Sequence, residues 1–315
     1  MQEPFDLITV SLNPALDVTL SVGELDFEEP NKTKGETVYA GGKAINVSRV
    51  LTSLGIANRT IGLAGKDNFP ALDKLLDEDN VQHQFFPIPG SIRENLTICL
   101  ADGKVLKINR QGPDVPNAAL EKLQRFLSQL LDKDDRQYIL AFCGGTPPNL
   151  SVSQYKDFIA SFQRDHVRIV LDSDVFSCQE ILSLAPFCIK PNRIEFAKML
   201  GKGNPSFDEL LSGARMLAEN VPHILLSLGA DGLLYIHQQE AYWITVPPVK
   251  VKTTIGAGDT TLAGFLAALQ AGQSYETAAR YAAACGTASV QLEGTGAVTP
   301  AQVMEILPLV HSRKL

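Results

Sequence analysis

The chain has 315 residues, 45% of them hydrophobic and 20% charged, a mixture that suits one large globular core and excludes a disordered or fibrous protein. A net charge of −7 disfavours a general nucleic-acid surface, yet it permits a local basic pocket for a small anion. No stretch approaches the roughly 18 uninterrupted apolar residues of a membrane span, and the opening MQEPFDLITVSLNP lacks the basic flank and cleavage site of a secretory signal, so a cytoplasmic protein without membrane or nucleic-acid partners is expected.

In chain order, DLITVSL (6–12) reads as a strand, KAINVSRVLTSLG (43–55) as a helix, RTIGLAG (59–65) as a strand and FPALDKLLDED as an amphipathic helix. After residue 117 the alternation resumes. A helix around ALEKLQRFLSQLL precedes a strand at QYILAFCGG, a helix near SQYKDFIASFQ, strands at VRIVLDSD and FCIKPN, helices within 192–220 and the buried strand HILLSLG (223–229). Such βαβ units pack most simply as an α/β fold, a mostly parallel Rossmann-like sheet with helices on both faces, whose ligands bind beyond the carboxyl ends of the strands.

Two intervals break this rhythm, 16–42 and 94–112, the second reading as a hairpin that turns at Asp102-Gly103. Together they are expected to form a small discontinuous β-sheet lid. With no repeat, low-complexity tract or linker, residues 1–315 are expected to make a single domain carrying that lid. Five cysteines, odd in number, far apart and without C-x-x-C, suggest neither a disulfide framework nor a zinc site.

Late in the chain, TTIGAGDTTLAGF places Gly256, Ala257 and Gly258 before Asp259 and a helix-compatible apolar run. A tight turn there leaves the first amides of the helix unpaired and lets an anion approach the backbone. A carboxylate repels a ground-state phosphate, so Asp259 makes sense facing an incoming hydroxyl, which it orients and whose proton it accepts as the oxygen attacks phosphorus. Taken alone, the stretch is more simply a turn with an N-cap aspartate.

Other stretches fit the same chemistry. Gly41-Gly42-Lys43 precedes a helical pattern, with Asn46 one turn on, and offers a second anion site. Thr37 and Ala44 break the P-loop pattern, and no G-x-G-x-x-G follows a predicted strand. Asn13 and Asp17 follow the first strand, where a carboxylate can accept sugar hydroxyls. Asn192 and Glu195 share one helical face after a strand, as hard oxygen ligands for Mg²⁺ would. Ser227 and Gly229 end the next strand in a turn that a nucleotide can meet, although a plain β-turn explains them too. Arg93, at the edge of the lid, can fork a phosphate or pair with Glu94.

With NPALD, GGKAINVSRVL, IRENLTI, KPNRIEF, SLGADG and TTIGAGDT in this order, the chain resembles the PfkB-type branch of the ribokinase-like sugar kinases. Within that family it looks most like 1-phosphofructokinases and tagatose-6-phosphate kinases, over about residues 6–300. The resemblance implies a ribokinase-like main body with a β-sheet lid, and transfer of phosphate from ATP, with Mg²⁺, to a hydroxyl of a sugar phosphate. It implies Asp259 as catalytic base, with Gly256, Ala257 and Gly258 as the anion hole. Asp17, Gly42, Lys43 and Asn46 would contact the sugar phosphate, and Arg93 and Lys32 would grip its phosphate from the lid. Asn192 and Glu195 would support the metal, Ser227 and Gly229 would run along the nucleotide, and the stretch around Ala284 would wall the adenine.

Two departures from the family pattern lie on the acceptor side. Ala44 stands where relatives have Gly, and Cys143-Gly144-Gly145-Thr146-Pro147 stands where they read S-G-S-x-P, losing a hydroxyl at Gly145. These departures leave the identity of the sugar phosphate open; by resemblance the expected acceptor is fructose 1-phosphate, with tagatose 6-phosphate or fructose 6-phosphate as the alternative. A more remote alternative is a non-catalytic sugar-phosphate sensor, against which the retained Asp259 argues. By resemblance, a homodimer through the lid is expected as well.

Overall fold

The computed structural model describes residues 5–133 and 136–315. Its first half runs β1 (Phe5–Ser11), β2 (Ala15–Val22), β3 (Gly35–Gly41), α1 (Lys43–Ser53), β4 (Asn58–Gly65), α2 (Phe69–Glu78), β5 (His83–Ile88), β6 (Arg93–Leu100), β7 (Val105–Asn109) and α3 (Asn117–Leu131). The second half runs β8 (Gln137–Cys143), α4 (Val152–Ala160), β9 (Val167–Asp172), α5 (Cys178–Leu184), β10 (Cys188–Ile189), α6 (Arg193–Met199), α7 (Phe207–Ala218), β11 (His223–Ser227), β12 (Leu233–His237), β13 (Glu240–Thr245), α8 (Ala257–Gln270), α9 (Tyr275–Ser289), α10 (Pro300–Ile306) and β14 (His311–Lys314).

The main sheet has ten strands in the order β14-β13-β12-β11-β10-β9-β8-β1-β4-β5. Every pairing from β11 across to β5 is parallel, and the β11-β12-β13-β14 end is antiparallel. The inner strands of the parallel part are apolar on both sides, as β1 is, with every residue but Asp6 buried, because helices cover both faces. One core cluster joins the sheet to α3, α4, α5 and α7, and a second joins it to α1, α8 and α9.

The two segments that break the rhythm come together as a separate four-stranded sheet, β3-β2-β6-β7. Within it β6 is half-buried along its whole length and β7 is exposed. Leu16 and Ala40 pack with Ile45 of α1, Ala64 of β4 and Leu72 and Leu76 of α2, and this seats one face of the small sheet on the body. Asp17 pairs with Tyr39 on one side and with Asn95 on the other, so these three residues form one row across the opposite face.

Several elements differ from the sequence reading. The strand at FCIKPN shrinks to Cys188–Ile189, because Pro191 has no amide hydrogen to donate and Asn192 already caps the next helix. β5, α5, α10 and β14 have short or mixed patterns that gave no clear period. The sheet also continues past β11 into an antiparallel hairpin. Among the described residues, no helix is long and apolar enough to cross a membrane.

Candidate active site

Helices α4, α5, α6, α7 and α10 begin with reciprocal capping boxes that satisfy their first amides. By contrast, α1 and α8 start on Gly42 and Gly256, at φ 96° and 77°, with no side-chain cap. Only glycine adopts such values without strain. In α8 the Thr260 amide closes the first turn on the Gly256 carbonyl at 2.8 Å, and that of Ala257 reaches the Thr254 carbonyl only at 3.4 Å. The amides of Gly258 and Asp259 have no acceptor among the described residues. An anion would satisfy them where the helix dipole favours it.

Asp259 lies in this first turn, 6% exposed, and its Oδ2 accepts a hydrogen bond from Asn46 Nδ2 of α1 at 2.8 Å. The two glycine-capped helices therefore meet at this carboxylate. Burial, and then the nearby Asp172 carboxylate, push the Asp259 pKa up to about 7.

Beneath it lies a buried charge cluster at the carboxyl ends of β9 and β10. Lys190 Nζ is 3.2 Å from Asp172 Oδ2, and Lys43 Nζ is 3.0 Å from Asp172 Oδ1 and 3.6 Å from Glu195 Oε1. Burial works against the Lys43 ammonium, but Asp172, Glu195 and Asp259 outweigh it and hold its pKa above the usual lysine range. The same two lysines, against the cost of burial, keep Asp172 ionised below the usual carboxylate range. A Cβ on Gly258 would lie 2.9 Å from Lys190 Nζ, so that glycine brings the helix start directly over a cation.

Facing this cluster is the polar row of the small sheet. Burial raises the Asp17 pKa, and Asn95 Nδ2 donates to Asp17 Oδ1 at 2.8 Å. A Cβ on Gly41 would lie 2.3 Å from Asp17 Cγ, which explains the first glycine of Gly-Gly-Lys. Arg93 stands across from Ala15, and burial lowers its pKa while Asp17 opposes the shift. Asn13 Oδ1, Asn46 Oδ1, Arg93 Nε and Asn95 Oδ1 are buried and without hydrogen-bond partners, as polar atoms awaiting a polar ligand are. Gly144, at φ 102°, carries the loop after β8 over Lys43, and Gly145 has no atom within 4 Å of its Cβ position.

On the other side, Ser227 ends β11, bridges to Asn192 and sits 3.4 Å from the Pro191 carbonyl. Gly229, at φ 65°, opens the turn that follows. Asn192 Oδ1 accepts from the amides of Ile194 and Glu195, and Glu195 Oε2 accepts from that of Asn192. The expected metal pair is thus largely spent on capping α6, which leaves Glu195 Oε1. Among the described residues no cluster of three or more acidic, His or Cys side chains could cage a metal ion. A Mg²⁺ ion fits here only as Mg²⁺ usually binds, through substrate phosphates and water with one carboxylate nearby.

One expectation needs correction. Ala284 is fully enclosed among the side chains of α8 and α9; small residues let those helices pack closely, so it offers no surface to an adenine ring. Lys32 stands exposed between β2 and β3, and its expected hold on the sugar's phosphate rests on the resemblance alone. Asp172, Lys190 and Asn95 escaped the sequence reading. The only trace of the first two was a charged residue at the end of an apolar run.

A family model described as pfkB family carbohydrate kinase matches residues 10–302. The chain is similar to a 1-phosphofructokinase of Bacillus subtilis (strain 168), 29% identical over 310 residues that cover 98% of this chain and 100% of the relative. It is also similar to a 1-phosphofructokinase of Escherichia coli (strain K12), 30% identical over 304 residues that cover 96% of each chain. A solved phosphofructokinase-2 from Escherichia coli, in complex with fructose-6-phosphate, matches at a TM-score of 0.87 and 22% identity over 96% of this chain and 98% of that one. That likeness carries the fold alone. The family match spans the glycine-capped helices, the charge cluster and the small sheet, and on it the chain belongs to the PfkB family of carbohydrate kinases.

Proposed function

We propose that the protein is a cytoplasmic kinase that uses ATP to phosphorylate a ketohexose phosphate, converting fructose 1-phosphate to fructose 1,6-bisphosphate. The observation that carries this reading is Asp259 in the uncapped first turn of α8, joined to the acceptor side by Asn46. The relatives named 1-phosphofructokinase, similar over nearly their whole length, support the choice of acceptor.

In the reaction the sugar hydroxyl oxygen bonds to the γ-phosphorus as the bond from that phosphorus to the β,γ-bridging oxygen breaks. The hydroxyl proton goes to Asp259. An ordinary aspartate is a weak base towards an alcohol, but in a loose phosphoryl-transfer transition state the proton leaves late and positioning dominates. The amides of Gly258 and Asp259, with Gly256 and Ala257 shaping the turn, receive charge on the transferred group. Lys43, held by Asp172 and Glu195, stands between this anion hole and the sugar. Asp17, Asn46 and the Gly42 turn line the sugar, and Arg93 takes its existing phosphate. Ser227 and Gly229 flank the nucleotide. Mg²⁺, when bound, offsets the charge of the nucleotide phosphates, and Glu195 is the residue placed to support it.

Purified protein is assayed for ADP release with fructose 1-phosphate, fructose 6-phosphate, tagatose 6-phosphate and unphosphorylated sugars. Turnover is expected to be fastest with fructose 1-phosphate, and Asp259→Asn to lower kcat by about 10²–10⁴-fold. Turnover of unphosphorylated sugars alone, or an Asp259→Asn variant with unchanged kcat, overturns the reading.

We also propose that two copies associate through the small sheet. Phe27, Val105, Leu106 and Ile108 expose 93, 52, 45 and 45% of their surface there, and β7 ends the sheet as an unpaired edge.

A further inference from the structure

The amide of Asn95 has its orientation imposed on it. Asp17 Oδ1 lies 2.8 Å away and only accepts while ionised, so the side-chain nitrogen of Asn95 must face it. The Asn95 carbonyl oxygen is thereby turned the other way, where it is buried and has no donor. Leaving such an acceptor unmade costs free energy unless a ligand completes it. The side chain is no accident of the strand, since Asn95 lies opposite Asp17 in the β2-β6 register and opposite Asn109 in the β6-β7 register. Arg93, two residues earlier on the same face, carries another buried polar atom without a partner. The bound molecule has to bring a donor for Asn95 Oδ1 and an acceptor for Arg93 Nε.

From this geometry we propose that Asn95 is a specificity-determining residue that contacts the acceptor sugar. Its carbonyl oxygen accepts a hydrogen bond from one sugar hydroxyl, while its amide holds Asp17 to accept from a neighbouring one. The pair thus presents two acceptors side by side, which suits two adjacent hydroxyls of a ketohexose phosphate. The inference rests on the function proposed above and adds to it a residue that reads the sugar. A site built to bond a hydroxyl rejects the analogue lacking it far more strongly than an apolar pocket does, because the buried acceptor is then left unpaired.

The test measures binding by calorimetry without ATP, using fructose 1-phosphate and its 3-deoxy and 4-deoxy analogues, for the wild type and for Asn95→Ala. The wild type is expected to bind each deoxy analogue at least 10-fold more weakly than the parent. Asn95→Ala is expected to bind fructose 1-phosphate about 10–100-fold more weakly. It should also lose most of its discrimination against one of the two analogues while keeping discrimination against the other, with KM for ATP within about 2-fold of the wild type. Asn95→Ser, which keeps a small side chain in the strand, replaces the alanine variant if that one fails to fold.

Unchanged affinity in the variants, or equal weakening for the parent and both analogues, overturns the proposal and leaves Asn95 as a support for Asp17. The two readings fail separately. A wild type that neither binds nor turns over any of the sugar phosphates removes the proposed function and this inference with it, whereas a wild type that works while the variants bind normally removes only the role of Asn95.

Discussion

Near neutral pH the Asp259 carboxylate is only partly ionised, since burial and Asp172 push its pKa up to about 7 from an ordinary 3.8. In the proposed mechanism a proton on Asp259 blocks its service as base, so kcat/KM is expected to rise with pH through about 7 in a pH–rate profile of the free enzyme. Stability runs the other way. A carboxyl group whose pKa is higher in the folded chain stabilises the fold below pH 3.8, and that contribution is lost as pH rises through about 7. Asp259→Asn should therefore melt higher than the wild type at pH 8, and the gap should close towards pH 4, in thermal scans at the two values. Loss of function with gain of stability in one variant would mark an active-site strain. His223 provides the opposite case. It is 1% exposed, bonds Tyr235 Oη through Nδ1 at 2.8 Å and lies 4.5 Å from the ring centres of Phe187 and His237. Burial lowers its pKa to about 3, and the charges of His237 and Arg168 assist. The unfolded chain binds this proton first, so stability falls from about pH 6.5 downward by up to about 1.4 kcal/mol per pH unit. Replacement His223→Phe should flatten that slope in urea titrations between pH 6.5 and 4, even though it costs the Tyr235 bond.

At the scale of the element, the site is a consequence of how helices begin. In α4, α5, α6, α7, α9 and α10, Ser, Thr or Asn closes the first turn with its side chain. Where the chain needs an anion, glycine opens the turn to a ligand. That distinction was legible in the sequence, because Gly41-Gly42-Lys43 and Gly256-Ala257-Gly258-Asp259 are local patterns at the head of apolar helices. Asp172 and Lys190 were not legible. They sit on neighbouring strands and acquire meaning only when the parallel register puts both under Gly258. Asn95 was hidden for the same reason, its partner Asp17 being 78 positions away in the chain. Ala284 misled because an alanine-rich helix looks alike whether its small residues face a ligand or another helix. The Gly41–Asp17 approach gives a direct check on the acceptor side. In Gly41→Ala the new methyl would press on the Asp17 carboxylate, 2.3 Å from Cγ, so KM for the sugar phosphate is expected to rise at least 10-fold with KM for ATP little changed. Parallel increases in both would place the effect in the body of the fold instead.

Taken as a whole molecule, the chain is a wide, helix-covered sheet with a second sheet standing over the carboxyl ends of its parallel strands. The first was readable from the alternation of strand and helix, and the second from the loss of that alternation. The antiparallel end beyond β11 was missed because short strands between turns carry too little pattern to reveal their direction. The outer strands of the small sheet are where association is expected. Light scattering coupled to size exclusion should give twice the monomer mass, and Leu106→Glu with Ile108→Lys should halve it. A wild type eluting with monomer mass at micromolar concentration would leave that apolar surface without a second copy. The small sheet has one more consequence. Its central pairing, β2 with β6, is parallel and joins residues on either side of α1, β4, α2 and β5. Closing so long a loop is entropically slow, and the row of Asp17 and Asn95 exists only once the intervening units have taken their places. On the proposed function, the grip on the sugar thus waits on the folding of these units, and a nascent polypeptide halted before β6 lacks the strand that completes it.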